Sequence, residues 1–104
     1  MTADAVRFAR RAIADLDDIY DFHHARTPRY AEQLNLRLRV AALSIARHPE
    51  RGAALPRTPH FRRLVESDHL IVYAAQDGRI FIVRILYGAR DVDALLSAES
   101  PWPA

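Results

Sequence analysis

The chain has 104 residues, half of them apolar and 27% charged, with a formal net charge of +2. Such a length fits one domain, and such a balance fits a packed core better than a disordered segment. It has no cysteine and all 15 of its lysine-plus-arginine side chains are arginine, which excludes disulfides, thiolate zinc sites, cysteine nucleophiles and any lysine base or Schiff-base former.

Met1 to Arg11 lacks the apolar run of a signal peptide, and no stretch approaches the roughly 20 apolar residues of a membrane span. The expected compartment is the cytoplasm, where a small domain without disulfides is at home. Val6-Arg7-Phe8-Ala9 alternates and predicts a short strand. Arg10 to Ala25 reads as a helix, with Ile13, Leu16, Ile19, Tyr20 and His23 at helical spacing and Asp15, Asp17, Asp18 and Asp21 on other faces. Thr27-Pro28 resembles an N-cap followed by proline in the first turn. A second helix is expected from there to about His48, where Pro49 stops it. It carries two apolar stripes. Tyr30, Leu34, Leu38, Ala41 and Ile45 form one, and Leu36, Val40 and Leu43 form the other. Two stripes are more than one contact with a sheet requires.

Glu50 to His60, with Gly52, Pro56 and Pro59, reads as a loop. Three strands follow: Phe61 to Glu66, His69 to Ala75 and Arg79 to Tyr87. Ser67-Asp68 begins the first turn between them. Asp77-Gly78 is a type I′ hairpin signal, since that turn needs positive φ at both central positions. Gly88 ends the last strand, Asp91 to Leu96 suggests a final helical turn, and residues 97–104 read as a loose tail. The expected fold is one α+β domain over residues 1–104, in the order β-α-α-β-β-β, with a helical hairpin on one face of a small antiparallel sheet. Strict alternation along the last strand places Phe81, Val83, Ile85 and Tyr87 against the helices. It places Ile80, Ile82, Arg84 and Leu86 on the opposite face.

Charge is unevenly spread. Nine arginines against two glutamates between Arg26 and Arg63 make that segment +7. An acidic or nucleic-acid partner is one reading; a solvated helix face followed by a basic loop is the other. The five histidines show no ligand spacing, since adjacent His23 and His24 diverge by about 100° on a helix, so no metal site and no cofactor is expected. The acidic face of the first helix reads as structural. More specific are Arg63 and Arg84, within strands, and Arg90, just after the last one. A strand arginine amid apolar neighbours needs a partner, either an ion pair with Glu66 or Asp91 or an external carboxylate or phosphate. Arg63 and Arg84 can face the same side of the sheet.

The pieces Ala12-x-x-Asp15-Leu16-x-x-Ile19, Pro49-x-x-Gly52, Arg63-Leu64, Ile71-x-Tyr73 and Arg84-Ile85-Leu86-Tyr87-Gly88-x-Arg90-Asp91, taken in order, resemble the RelE/ParE superfamily of bacterial toxins. The resemblance spans Phe8 to Leu96 and implies the toxic half of a type II toxin–antitoxin module. RelE-like members cut messenger RNA on the ribosome with basic side chains and a late tyrosine. Here lysine is absent, Leu70 stands where such chains carry arginine, and Leu96 stands at the late tyrosine position. ParE-like members bind and poison DNA gyrase, and Leu86-Tyr87-Gly88-Ala89-Arg90-Asp91 resembles their LHGARD ending with Tyr87 in place of histidine. The resemblance therefore implies a ParE-like gyrase inhibitor without a catalytic residue, with a RelE-like ribonuclease or a degenerate binding module as alternatives. It implies a cognate antitoxin of the ParD-like or another ribbon-helix-helix type, and no membrane or direct nucleic-acid partner. Arg63, Arg84, Tyr87 and Arg90 are the expected contacts with target or antitoxin, and Leu36, Val40 and Leu43 the expected apolar face for the antitoxin.

Overall fold

The computed structural model describes residues 5–88 together with Val92 and Leu96. Strand β1 (Val6–Phe8) leads into helices α1 (Arg10–His24) and α2 (Pro28–Ser44), then β2 (Ala53–Ala54), β3 (Arg62–Glu66), β4 (His69–Gln76) and β5 (Arg79–Tyr87). The sheet order is β1-β5-β4-β3-β2, with β1 parallel to β5 and every other pair antiparallel. The α+β architecture and the helical hairpin on one face agree with the reading of the sequence. The added strand, β2, is two alanines on the sheet edge, paired with Arg62 and Arg63. Its residues carry no strand signal, which is why that segment reads as loop.

Apolar spacing accounts for the helices. Leu34, Leu38, Ala41 and Ile45 point inward from α2 and meet Ala12 and Leu16 of α1 over Ile71, Tyr73, Ile80, Ile82 and Ile85 of the sheet. Tyr30, expected in that stripe, is instead 39% exposed and packs edge-on against His23. Thr27 occupies the N-cap position before Pro28, but its hydroxyl makes no capping bond. The α-helix stops at Ser44 and tightens into a 3₁₀ turn, Ile45–Arg47, short of the expected His48. The Ser44 hydroxyl donates to the Ala41 carbonyl, a local bond that competes with helix continuation. Asp77 and Gly78 both take positive φ, as the hairpin signal requires.

One irregularity changes the facing of β5. Tyr73 pairs with Ile82 but Val72 pairs with Arg84, so Val83 is an extra residue, a β-bulge. A bulge inverts the alternation beyond it. Ile80, Ile82 and Ile85 therefore meet the helices. Val83 and Leu86 join Leu55, Phe61, Leu70, Val72, Ala74, Val92 and Leu96 in a second core on the other face. Of the expected helix-side set of Phe81, Val83, Ile85 and Tyr87, Ile85 does meet the helices while Phe81 and Val83 do not, and the placement of Arg84 opposite the helices is corrected by its contact with Asp15 of α1.

The loop after α2 is tied down by Tyr73. Its buried hydroxyl donates to the Pro49 carbonyl (2.7 Å) and accepts from the Gly52 amide (2.8 Å). Arg62 Nη1 adds a bond to the Gly52 carbonyl at 2.6 Å. Desolvation holds the Tyr73 phenol above the usual tyrosine pKa, against the opposing pull of the Gly52 N–H and the Arg62 guanidinium. Because the folded state favours the protonated phenol, this residue's contribution is intact below about pH 10 and declines as pH rises further. Tyr73→Phe should cost about 2 kcal/mol at neutral pH, since the Gly52 amide loses a buried acceptor. It should also flatten the fall in stability above about pH 10, measured by urea unfolding across pH 8 to 11. An unchanged alkaline slope would show that this phenol is not its source.

Candidate functional site

The carboxylate of Asp15, on α1, accepts from Arg84 Nε at 2.9 Å, from Arg84 Nη2 at 3.1 Å and from the backbone amide of Ile85 at 2.9 Å. The two side chains are only 12% and 14% exposed. β1 pairs with β5 only as far as Ile82, so Asp15 occupies the edge of β5 just where its strand partner ends. Arg84 has a carboxylate partner in Asp15, which the sequence did not suggest; Asp91, one of the two partners expected from the sequence, lies outside the described residues. Arg84 is thereby turned towards α1.

Arg63 and Arg84 are the two cross-strand neighbours of Val72, one on β3 and one on β5. Arg63 is exposed on the face of the second core, whereas the Arg84 guanidinium is held by Asp15 of α1. Arg90 lies outside the described residues. Tyr87 is 64% exposed at the end of β5, and its ring meets that of His69 at 5.3 Å between centroids and a 64° interplanar angle. His69 is itself buried, with Nδ1 2.7 Å from the Ser67 carbonyl, which can only accept.

Tyr87 and His69 form one wall of a groove of about 400 Å³ whose other wall is Asp18, Ile19, Phe22 and His23 of α1. The Arg26 guanidinium lies 4.0 Å from the Phe22 ring centroid at the end of this wall. None of the α1 residues was singled out from the sequence as a site. The available signal was the exposed i, i+4 pair Asp18 and Phe22, but the groove itself needs three elements to meet.

The second apolar stripe of α2 is exposed as a continuous surface. Leu36, Val40 and Leu43 are 64%, 56% and 51% exposed. Beside them, Leu36, Arg37, Val40, Ala41 and Ser44, with Arg51 and Glu66, line a groove of about 390 Å³. Large apolar side chains aligned in this way on a helix usually mark an interface. Among the described residues there is no group of three metal-ligating side chains, and no helix is long and apolar enough to cross a membrane.

The positions that the resemblance assigns to nuclease chemistry are packed. Leu70 is 6% exposed and Leu96 1%, and both lie in the second core with Val72 and Leu86. No hydrogen-bonding side chain is offered at either position.

Comparison with known proteins places this arrangement. The sequence profile of the family described as the ParE toxin of the type II toxin–antitoxin system, parDE, matches residues 6–92. Toxin RelE2 of Caulobacter vibrioides is 42% identical over 81 residues, covering 77% of this chain and 90% of that protein. A chromosomal ParDE toxin–antitoxin system from P. aeruginosa contains a chain that superposes with a TM-score of 0.71 at 24% identity, over 82% of this chain and 96% of that one. A chain of the YoeB-YefM complex from Staphylococcus aureus superposes with a TM-score of 0.53 at 18% identity, over 81% and 95% of the two chains. These two likenesses are of fold.

Proposed function

Since the chain belongs to the ParE toxin family of type II toxin–antitoxin systems, we propose that it acts by binding and not by cutting: it poisons DNA gyrase, and a cognate antitoxin silences it. The observation that carries this reading is the burial of Leu70 and Leu96 in an apolar core. A ribonuclease must activate the ribose 2′-hydroxyl and stabilise a charged phosphate, and both tasks need polar side chains at the reacting atoms. Two aliphatic side chains packed against each other's core supply neither. The chain also has no lysine to take over either role.

The antitoxin is the natural cover for the exposed stripe of Leu36, Val40 and Leu43. Its complex should bury at least about 1,200 Å² in total. Arg63, Tyr87 and Arg90 remain the proposed contacts with gyrase or antitoxin. Arg84, engaged by Asp15, supports them through the shape of the β5 edge.

The name of the Caulobacter relative, Toxin RelE2, favours a second reading, ribosome-dependent messenger cleavage. Both readings meet in one experiment with the purified toxin. With gyrase and supercoiled DNA it should yield double-strand breaks, and with programmed ribosomes it should leave the message intact. Arg63→Ala should weaken the gyrase effect while keeping its melting temperature. Message cleavage without gyrase-dependent breaks would overturn the proposal in favour of the nuclease.

A further inference from the structure

The groove between α1 and the end of β5 combines aromatic walls with unanswered acceptors. Asp18, Ile19, Phe22 and His23 of α1, His69 of β4 and Tyr87 of β5 line its roughly 400 Å³. Phe22 and Tyr87 leave large rings 56% and 64% exposed. His69 is only 2% exposed, and its neutral ring carries its proton on Nδ1, because the Ser67 carbonyl 2.7 Å away can only accept. Nε2 is then an acceptor, and it has no hydrogen-bond partner among the described residues. No enclosed side-chain nitrogen or oxygen among those residues lacks a partner, so Nε2 opens onto the groove that His69 lines.

The charge around the groove has one dominant sign. From Asp15 to Ala25 the chain carries four aspartates and no arginine. Asp15 is engaged by Arg84, whereas Asp17, Asp18 and Asp21 are exposed and have no ion-pair partner among the described residues. Asp18 lines the groove itself, and Asp21 is its i+3 neighbour on the same side of the helix. Arg26 shows what suits the aromatic wall. Its guanidinium lies 4.0 Å from the Phe22 ring centroid while its Nη1 donates to the Phe22 carbonyl at 3.0 Å.

These features select one kind of ligand. A carboxylate and an imidazole lone pair both call for a hydrogen-bond donor. The surrounding aspartates call for a cation, and they repel the phosphates of a nucleic acid. Flat ring faces call for a planar head. A guanidinium meets all three demands, being a permanently charged, weakly hydrated, planar fork of N–H donors that stacks on aromatic rings. A free metabolite would leave the exposed faces of Phe22 and Tyr87 uncovered, whereas a protein surface that delivers an arginine covers them.

We propose that this groove is the seat for an arginine side chain presented by the toxin's protein target, with the guanidinium bonded to the Asp18 carboxylate and His69 Nε2 and lying against the rings of Tyr87 and Phe22. This rests on the reading of the chain as a gyrase-binding toxin, and it makes Tyr87 one wall of a defined receptor. The α2 groove assigned to the antitoxin shares no lining residue with it.

One arm of the test needs no target. The full chain is titrated under NMR detection with benzamidine, benzamide and benzoate, a flat cation, its neutral twin and an anion of the same size. Benzamidine should bind at least about 10-fold more tightly than benzamide, and benzoate should not bind. Asp18→Asn should remove that preference. Phe22→Leu, which keeps the apolar bulk, should weaken benzamidine about 5-fold, and Asp17→Asn, outside the groove lining, should change it less than about 2-fold. In the second arm, Asp18→Asn should lower gyrase-dependent double-strand breaks about 10-fold while its affinity for the antitoxin stays within about 2-fold of the parent's. Circular dichroism and melting temperature report whether each variant is folded. Equal binding of the three probes, no binding of benzamidine, or a cation preference that survives Asp18→Asn overturns the assignment. So does an Asp18→Asn variant that loses the antitoxin but keeps the breaks, which would make the antitoxin the occupant. A parent chain that gives no gyrase-dependent breaks sinks the gyrase reading, and the probe series still decides the chemistry of the groove.

Discussion

Asp15→Ala is expected to destabilise the protein by about 3 kcal/mol and to abolish toxicity through loss of folded protein, not through loss of a contact with the target. One carboxylate accepts three hydrogen bonds, two from the Arg84 guanidinium and one from the Ile85 amide, and both side chains are largely removed from water. Deleting it withdraws the paired carboxylate from a desolvated guanidinium. It also withdraws the acceptor from a backbone N–H at a strand edge that β1 does not reach. Asp15→Asn should cost less, because an amide oxygen can still accept from Ile85 but carries no charge. The double change Asp15→Leu with Arg84→Met should recover much of the loss, since apolar replacement of a buried ion pair is often close to neutral. These outcomes are read from denaturant midpoints with the slope checked for constancy. If Asp15→Ala melts like the parent, the pair contributes nothing measurable and Arg84 returns to the set of possible target contacts.

That pair also shows what the sequence could and could not convey. Hydrophobic spacing places α1 and α2 to within a residue or a turn, and Asp77-Gly78 places the β4–β5 hairpin, because each depends on neighbours in the chain. The bulge at Val83 depends on register against β4, and a single inserted residue leaves no mark on composition. With it unseen, alternation runs out of phase and sends Arg84 to the wrong face. Asp15, the carboxylate it engages, is 69 positions away. β2 was invisible for a similar reason: Ala53 and Ala54 are strand only because Arg62 and Arg63 lie beside them. The exposed row on α2 was legible, since a helix with two apolar stripes can turn only one of them inward. The groove beside Tyr87 was not, because its lining comes from α1, β4 and β5 together.

The fragments that carry the family resemblance fall largely on internal locks. Asp15 and Arg84 belong to one, and Gly52 and Tyr73 to another. A resemblance built on such residues identifies the fold more strongly than the target. This explains how a chain can match the ParE family while resembling a relative named RelE2. Leu70 and Leu96, which the resemblance notes as departures from the RelE-like pattern, both lie in the second core.

Gly52→Ala is the sharpest test of the second lock and should cost about 3 kcal/mol or more, enough to lower the melting temperature by roughly 10 °C. Gly52 is required for space and not for backbone freedom, because its φ does not lie in the left-handed region. A Cβ there would stand 2.6 Å from the Arg63 carbonyl oxygen and 2.8 Å from both Cε1 and the hydroxyl of Tyr73. Carbon atoms without a bond between them settle nearer 3.5–4.0 Å, so something must move. The Tyr73 ring cannot withdraw cheaply, being fully buried and bonded through its hydroxyl to Pro49 and to Gly52 itself. The Arg63 carbonyl belongs to β3, which is paired on one side to β2 and on the other to β4. Displacing the loop instead breaks the Arg62 bond to the Gly52 carbonyl as well. The two obstacles separate by mutation. Tyr73→Leu, which removes the ring, should relieve only part of the added cost of Gly52→Ala, because the backbone oxygen at 2.6 Å remains. Full relief in that double variant would place the whole constraint on the tyrosine. A Gly52→Ala protein as stable as the parent would mean that the loop has room this packing denies it.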